Sequence, residues 1–401
     1  MKKLHFNFKD LFYAPRVAFS LQRIWVNGIG LLASYLVYLI FTYFSLLIGG
    51  YSFSAVWYKF GLLPCVFASP VPWYSMAVYI IGFILTFTLI LLTNTAVSRV
   101  VYMVLRNELF YTWRQAYKFA LKKWISIWGA LLTFAFMIAF FVIAALVMGL
   151  LGRIPFVGEL GTALLTIPYI FSALLLLFVG VVFVVGLFII PAILATADED
   201  ALGRVFQSFS ITFNQPWRLV IYGLIVAVLE FVGIFVFAAV LKYSFRIFIL
   251  LFTLGMGPKI LVLKNAALHL LDQALPALYG LLQGALTPCY AQLVYLSHHH
   301  AVASQLSGSM VVSAYIFAFF LFLVGGAVLA YGEAIGNAGM TLIYILLYKF
   351  REDENLLERE DEELAEEEEE KPVSEPEIGT GTEEKEEKSG ESEAPTETDE
   401  K

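Results

Sequence analysis

Residues 219–241 read LVIYGLIVAVLEFVGIFVFAAVL, a run in which Glu230 is the single charged side chain and stands at the midpoint. A helix needs about 20 apolar residues to cross the roughly 30 Å hydrocarbon core of a bilayer. The run therefore predicts a transmembrane helix that carries a carboxyl group near the centre of the membrane. An ionised carboxylate there costs about 3 kcal/mol on insertion scales, so we expect Glu230 to be protonated or to serve a function.

Other segments share this apolar character. Charge-free windows predict further spans near residues 28–50, 74–93, 124–146, 165–191 and 310–331. Helices are the expected form, because lipid cannot satisfy exposed backbone groups. A short apolar run at 341–350 follows the glycine-rich segment 332–339 and leaves a seventh crossing open. The predicted fold is an all-α, polytopic transmembrane helical bundle of six spans, or seven. The composition agrees: of 401 residues 60% are hydrophobic and 15% charged, against about 25% charged in soluble domains.

Charge divides the chain into a basic body and an acidic tail. Residues 351–401 hold 24 Asp or Glu against 6 Lys or Arg, a net charge of −18, whereas residues 1–350 hold 9 acids and 20 bases, a net charge of +11. Such an acidic segment has too little apolar surface to fold, which predicts a largely disordered tail. The tail could bind a basic protein partner, fold back on the body, or only solubilise the chain.

The basic residues also predict the orientation. They cluster before the first span and again between the second and third spans, and short basic loops face the cytoplasm. We therefore expect a multi-pass protein of the plasma (inner) membrane with a cytoplasmic N-terminus and a cytoplasmic tail. Residues 1–23 mix aromatic and basic side chains and predict an interfacial segment.

The body, residues 24–350, shows signs of a repeat. A shift of 94 positions aligns WISIWGALL at 124–132 with RLVIYGLIV at 218–226. The repeat would be parallel and cover about 74–147 and 165–241. Chance similarity between apolar helices is the alternative. Further along, residues 258–309 predict an amphipathic region on the outer surface.

The linker before the fifth span carries a family resemblance. Residues 191–200 read PAILATADED and residues 205–218 read VFQSFSITFNQPWR. The pattern is a proline that ends a span, an acid, a serine, and then an aromatic and a base; its members here are Pro191, Glu199, Ser208, Trp217 and Arg218. It resembles the glycerophosphoryl diester phosphodiesterase membrane-domain family and related uncharacterised six-span bacterial membrane proteins. The end of the body, LIYILLYKFRE at 342–352, is also similar, although the family's acid before the last Arg is missing. The resemblance implies a six-span bundle with an accessory role and no hydrolase activity, because the family's hydrolase is a separate soluble domain.

Few residues are candidates for ion relay, disulfide formation, catalysis or metal binding. Glu230 could relay a proton or a cation, or could simply hydrogen-bond neighbouring helices together. Cys65 and Cys289 both fall in segments assigned outside and form a candidate disulfide, with two separate thiols as the alternative. No phosphate loop, nucleophile elbow or dinucleotide fingerprint occurs, and the three consecutive histidines at 298–300 cannot all ligate one ion on a helix. We therefore expect no enzyme, no cofactor, no metal site and no nucleic-acid partner.

Two functions remain open at this point. The first is a non-catalytic integral membrane accessory or scaffold protein that uses its acidic tail to bind a partner. The second is a transporter or channel-like protein that uses Glu230 as a proton or cation relay.

Overall fold

The computed structural model describes residues 4–359 except 109, 198 and 276–307. In this part of the chain the regular secondary structure is helical, and no strand occurs. After a 3-10 helix at Phe8–Tyr13, the α-helices are α1 (Ala14–Ala18), α2 (Leu21–Ile48), α3 (Phe53–Phe60), α4 (Trp73–Leu105), α5 (Trp113–Lys122), α6 (Trp124–Leu151), α7 (Val157–Leu164), α8 (Thr166–Thr196), α9 (Ala201–Asn214), α10 (Pro216–Met256), α11 (Lys259–Ala274) and α12 (Gly308–Glu352).

Six of the described helices are long and apolar enough to cross a membrane: α2, α4, α6, α8, α10 and α12. Each coincides with one of the six predicted spans, and the spans 28–50 and 165–191 extend past their helices by only one or two residues, which confirms the all-α bundle. α12 continues through the glycines at 332–339 without a break, so six helices of this kind, and not seven, occur among the described residues. With 45 residues α12 is about 68 Å long, and the short apolar run at 341–350 belongs to it rather than to a separate helix.

One end of the bundle is closely packed. We call it the basic end: α2, α6 and α10 begin there, and α4, α8 and α12 end there. Residues 95–103, 189–197 and 341–348 are buried on all sides of their helices. The Arg99 guanidinium of α4 donates to the Ala195 carbonyl of α8 over 3.0 Å. This burial explains why α4 and α8 extend beyond the predicted spans, since core packing rather than lipid contact stabilises their last turns.

The N-terminal segment forms two short helices that pack against the bundle. Leu11 and Ala14 are fully buried, and the Tyr331 hydroxyl of α12 donates to the Pro15 carbonyl over 3.4 Å. Phe12 and Phe19 are exposed. The segment therefore presents aromatic side chains outward while it is fixed to α12, and its place at the membrane interface stays a prediction.

At the opposite end, tyrosines of α2 hold the loop that follows α3. The hydroxyls of Tyr35 and Tyr38 donate to the carbonyls of Leu62 and Pro64 over 2.8 and 2.5 Å. Cys65 lies in this loop, half-buried against an apolar cluster. Cys289 and the three histidines lie outside the described residues, as does most of the amphipathic region beyond α11, so the disulfide stays a prediction.

The two predicted repeat halves have the same order of elements. A long helix, a short helix and a second long helix follow one another in α4–α5–α6 and again in α8–α9–α10. The short helix of the second half is packed inward, with Phe209 stacked on Phe134 of α6 at 5.7 Å between ring centroids. The repeat itself remains a prediction from the sequence.

Candidate functional site

Glycines of α12 let α10 approach closely along a line that we call the glycine seam. The seam pairs Gly332 with Ile234, Gly336 with Glu230 and Gly339 with Val226. A Cβ atom at these glycines would lie 2.4 Å from Ile234 Cδ1, 3.0 Å from Glu230 Oε2 and 2.3 Å from Val226 Cγ1. The three partner side chains are successive turns of one face of α10. Glu230 is thus the middle one of three side chains that fit into glycine-lined space.

The helix that faces Glu230 carries a second carboxyl group within electrostatic range of the first. Glu333 precedes Gly336 by one turn of α12, and its carboxyl group interacts electrostatically with that of Glu230. Its Oε2 atom is buried and has no hydrogen-bond partner among the described residues. The sequence prediction missed Glu333, because it lies just past the predicted end of the sixth span, in the glycine-rich segment 332–339. The sequence feature that could have indicated a packed helix here is the spacing of Gly332, Gly336 and Gly339, which places three glycines on one helix face.

Side-chain amides fasten α12 to two other helices near these carboxyls. Asn337 Nδ2 donates to Asn94 Oδ1 of α4 over 3.1 Å. Asn27 of α2 is fully buried, and its Nδ2 donates to the Ala330 carbonyl over 2.8 Å. Ala330 and Asn337 stand on either side of Glu333 along α12. Along α12, Glu333 therefore lies between two polar contacts that join this helix to α2 and α4.

Two hydroxyl groups complete the site. The Tyr117 hydroxyl of α5 donates to the Val26 carbonyl over 2.8 Å. A Cβ atom at Gly30 would lie 2.0 Å from Thr93 Oγ1 and 2.6 Å from Tyr117 Oη, so both hydroxyls occupy the space that this glycine leaves open. Burial raises the pKa of the Tyr117 phenol; its contact with Thr93 offsets part of that rise, and the nearby Glu333 carboxylate adds to it. Glu333 therefore lies within electrostatic reach of α5 as well as of α10.

We call this group of side chains the polar centre: Asn27, Thr93, Asn94, Tyr117, Glu230, Glu333 and Asn337. Its formal charge is negative, since α10 holds no Lys or Arg between residues 219 and 241, and α12 holds none between 308 and 348. The cations nearest in sequence to its members are Lys118, which follows Tyr117 in α5, and Arg23, one turn before Asn27 in α2. A negative, membrane-embedded pair of carboxyls is a costly arrangement and is typical of proton and ion pathways.

The linker residues identified from the sequence lie at the basic end. They are Pro191 in the last turns of α8, Glu199 just before α9, Ser208 on α9, and Trp217 and Arg218 at the start of α10. Ser208 is fully buried and donates to the Arg204 carbonyl over 2.9 Å. The Arg218 guanidinium lies 4.5 Å from the centroid of the Phe350 ring. The first contact lies within α9 and the second joins the start of α10 to the end of α12, so both are packing contacts.

Comparisons with known proteins identify no relative of this chain. No family model, no curated protein and no solved structure matches it. Across the described residues no group of three or more His, Cys, Asp or Glu side chains could hold a metal ion.

Proposed function

We propose that this integral membrane protein moves protons or small cations through the polar centre, with Glu230 as the group that binds and releases the ion. The observation that carries the proposal is the position of Glu230 of α10 against Gly336 of α12, one turn from Glu333 on the same helix. Ionisable side chains inside a transmembrane bundle are rare, and those that occur usually mark ion pathways.

Helix association alone is a weaker explanation for two carboxyl groups. The amides of Asn27 and Asn337 already join α12 to α2 and α4. The seam itself joins α10 to α12 by close backbone packing, which is an effective way to associate helices in lipid. A second carboxyl adds desolvation and like-charge repulsion to a contact that does not need it. The pair is better explained by ion binding than by stability.

Flux measurements on the purified full chain in lipid vesicles test the proposal. We expect proton or cation flux above that of empty vesicles, and we expect Glu230→Gln to abolish most of it. The matched control is Glu159→Gln, because Glu159 is exposed in α7 and lies outside the polar centre. Equal flux through the wild type and Glu230→Gln would show that Glu230 is not part of the pathway.

The accessory or scaffold function is a second candidate, favoured by how the acidic tail begins. The Tyr102 hydroxyl of α4 donates to the Leu356 carbonyl over 2.8 Å, and the Leu356 side chain is buried. The tail therefore starts from a fixed point at the basic end. The family resemblance of the linker also supports this function.

Truncation of the acidic tail tests the scaffold function. A chain that ends at Arg359 keeps the buried Leu356 and removes only the segment beyond it. We expect the full chain to retain a stoichiometric basic protein in mild detergent and the shortened chain to lose it. Equal recovery by both chains would argue against the tail as a binding segment.

We also propose that the basic end faces the cytoplasm and that the chain resides in the plasma membrane. The excess of Lys and Arg near the starts of α2 and α6 supports this orientation. A membrane-impermeant thiol reagent should fail to reach a cysteine placed in α5 in intact cells and should label one placed in α3. The reverse pattern would invert the orientation.

A further inference from the structure

We propose that α5 binds the head groups of anionic phospholipids through one exposed face, which we call the cationic face: Arg114, Lys118 and Leu121. The proposal gives the protein a lipid partner and does not depend on ion movement through the polar centre. It follows from the way α5 is fixed to the bundle, from the charges on its outward face and from its position at the start of a membrane span.

Contacts on its other sides fix α5 to the bundle. Ala116 is fully buried, and the guanidinium of Arg99 in α4 lies 4.3 Å from the centroid of the Phe119 ring. The Tyr117 hydroxyl donates to the Val26 carbonyl of α2 over 2.8 Å. A helix held by two neighbours in this way has little freedom to rotate about its axis. The cationic face is therefore kept turned away from the bundle.

The cationic face holds two like charges in a part of the chain that is poor in acids. Arg114 and Lys118 are four residues apart, so their side chains are neighbours on the helix surface, where like charges repel. α5 packs against α2, α4 and α6, and none of these four helices contains an Asp or a Glu. Glu108, in the loop before α5, is the only acid between residues 73 and 151. An anion bound between the two cations would remove their repulsion.

Apolar side chains beside these cations favour a lipid over a soluble anion. Leu121 is exposed on the same face, and the exposed Trp113 ring has its centroid 5.3 Å from the Arg114 guanidinium. The membrane span α6 begins only two residues after α5 ends, at the exposed Trp124. Tryptophan is enriched at the membrane interface, where lipid phosphates lie, and arginine pairs well with phosphate. A lipid therefore satisfies both the cations and the apolar groups of this face.

Lipid binding by the purified full chain tests the proposal. Native mass spectrometry in detergent counts the bound molecules of phosphatidylglycerol, which is anionic, or of phosphatidylcholine with the same acyl chains. We expect the wild type to bind phosphatidylglycerol more tightly. Each cation removed from the face should weaken that binding about fivefold, the size of one charge near an anionic surface. The Arg114→Gln/Lys118→Gln variant should therefore lose most of the preference between the two lipids.

Two further double variants control for net charge and for folding. Arg246→Gln/Lys259→Gln removes the same charge from exposed positions in α10 and α11 and should keep the preference for phosphatidylglycerol. Arg114→Lys/Lys118→Arg conserves both charges of the cationic face and should retain most of the binding. A preference that is lost equally in the α5 variant and in the α10 and α11 variant would show that net charge, and not α5, selects the lipid.

Two other results would also overturn the proposal. The first is equal binding of the two lipids by the wild type. The second is displacement of phosphatidylglycerol by an equal concentration of glycerol 3-phosphate, which carries the charged group without acyl chains and would make the ligand a soluble phosphate. Ion flux plays no part in these measurements, so the lipid site and the proposed function can fail independently.

Discussion

The Glu230 side chain of α10 lies directly against Gly336 of α12, and a Cβ atom at position 336 would stand 3.0 Å from Glu230 Oε2. This contact places the carboxyl at the interface of two long helices, within electrostatic range of Glu333. Three glycines of α12, Gly332, Gly336 and Gly339, therefore have a structural purpose, since each one accommodates a side chain of α10.

Gly339→Ala should lower the free energy of unfolding by about 1–3 kcal/mol, as overpacking of a filled interface does. The added Cβ would meet Val226 Cγ1 at 2.3 Å and Cγ2 at 2.7 Å, and a β-branched side chain in a helix has little rotamer freedom with which to move away. Unfolding of the purified protein in detergent measures the change. Gly325→Ala is the matched control in the same helix, because nothing lies within 4 Å of its added Cβ. Equal effects of the two substitutions would contradict the seam.

Gly30→Ala should disrupt the polar centre from the side of α2. The added Cβ would lie 2.0 Å from Thr93 Oγ1 and 2.6 Å from Tyr117 Oη, whereas the nearest atom to a Cβ at Gly28 is 3.8 Å away. We expect Gly30→Ala to destabilise the protein by about 1–3 kcal/mol and Gly28→Ala to be tolerated. Thr93→Ala removes one of the two obstructing groups and should reduce the cost of Gly30→Ala. If Gly30→Ala costs as much stability in the Thr93→Ala background as in the wild type, the steric explanation is wrong.

Asn94 and Asn337 should show a coupling energy in a double-mutant cycle. Their side chains form a hydrogen bond of 3.1 Å between α4 and α12. Hydrogen bonds between transmembrane helices contribute about 0.6 kcal/mol on average and rarely more than about 1.7 kcal/mol. We therefore expect the Asn94→Ala/Asn337→Ala double variant to unfold more easily than the wild type, but with less loss than the two single variants add up to. Strictly additive losses would mean that the two amides act independently.

Tyr117→Phe should reduce the loss of stability at alkaline pH. Burial raises the pKa of Tyr117 above its ordinary value, which is about 10 in an unfolded chain. A raised pKa stabilises the folded state below the unfolded value, and that contribution is lost as the pH rises through the folded value. The difference in unfolding free energy between the wild type and Tyr117→Phe should therefore shrink or change sign as the pH rises above about 10. A difference independent of pH would place the phenol in contact with solvent.

The positions of the membrane spans could be predicted because lipid imposes a simple requirement on sequence. A charge-free window of about 20 residues can cross lipid as a helix, because a helix satisfies its own backbone hydrogen-bonding groups. Each such window coincides with a long helix. The helix ends could not be predicted in the same way. The last turns of α4 and α8 contain Arg99 and Pro191, residues that normally indicate the end of a span, and both are buried by neighbouring helices.

The candidate site was only half visible in the sequence. Glu230 was identified because it is the single charge in an apolar run, which is a local signal. Glu333 was missed because glycine is usually a helix breaker, and only the packing of α10 shows why three glycines are needed here. The partners Asn94 and Asn337 are 243 residues apart in the chain. No periodicity or composition of a single segment encodes such a contact.

Proton flux in vesicles through Glu230→Gln, Glu333→Gln and the double variant tests the central claim most directly. If the two carboxyls form one site, each single substitution abolishes most of the flux and the double variant loses no more than either, while Glu159→Gln conducts like the wild type. Wild-type flux in either single variant, or losses that simply multiply in the double variant, would contradict a shared site at the glycine seam.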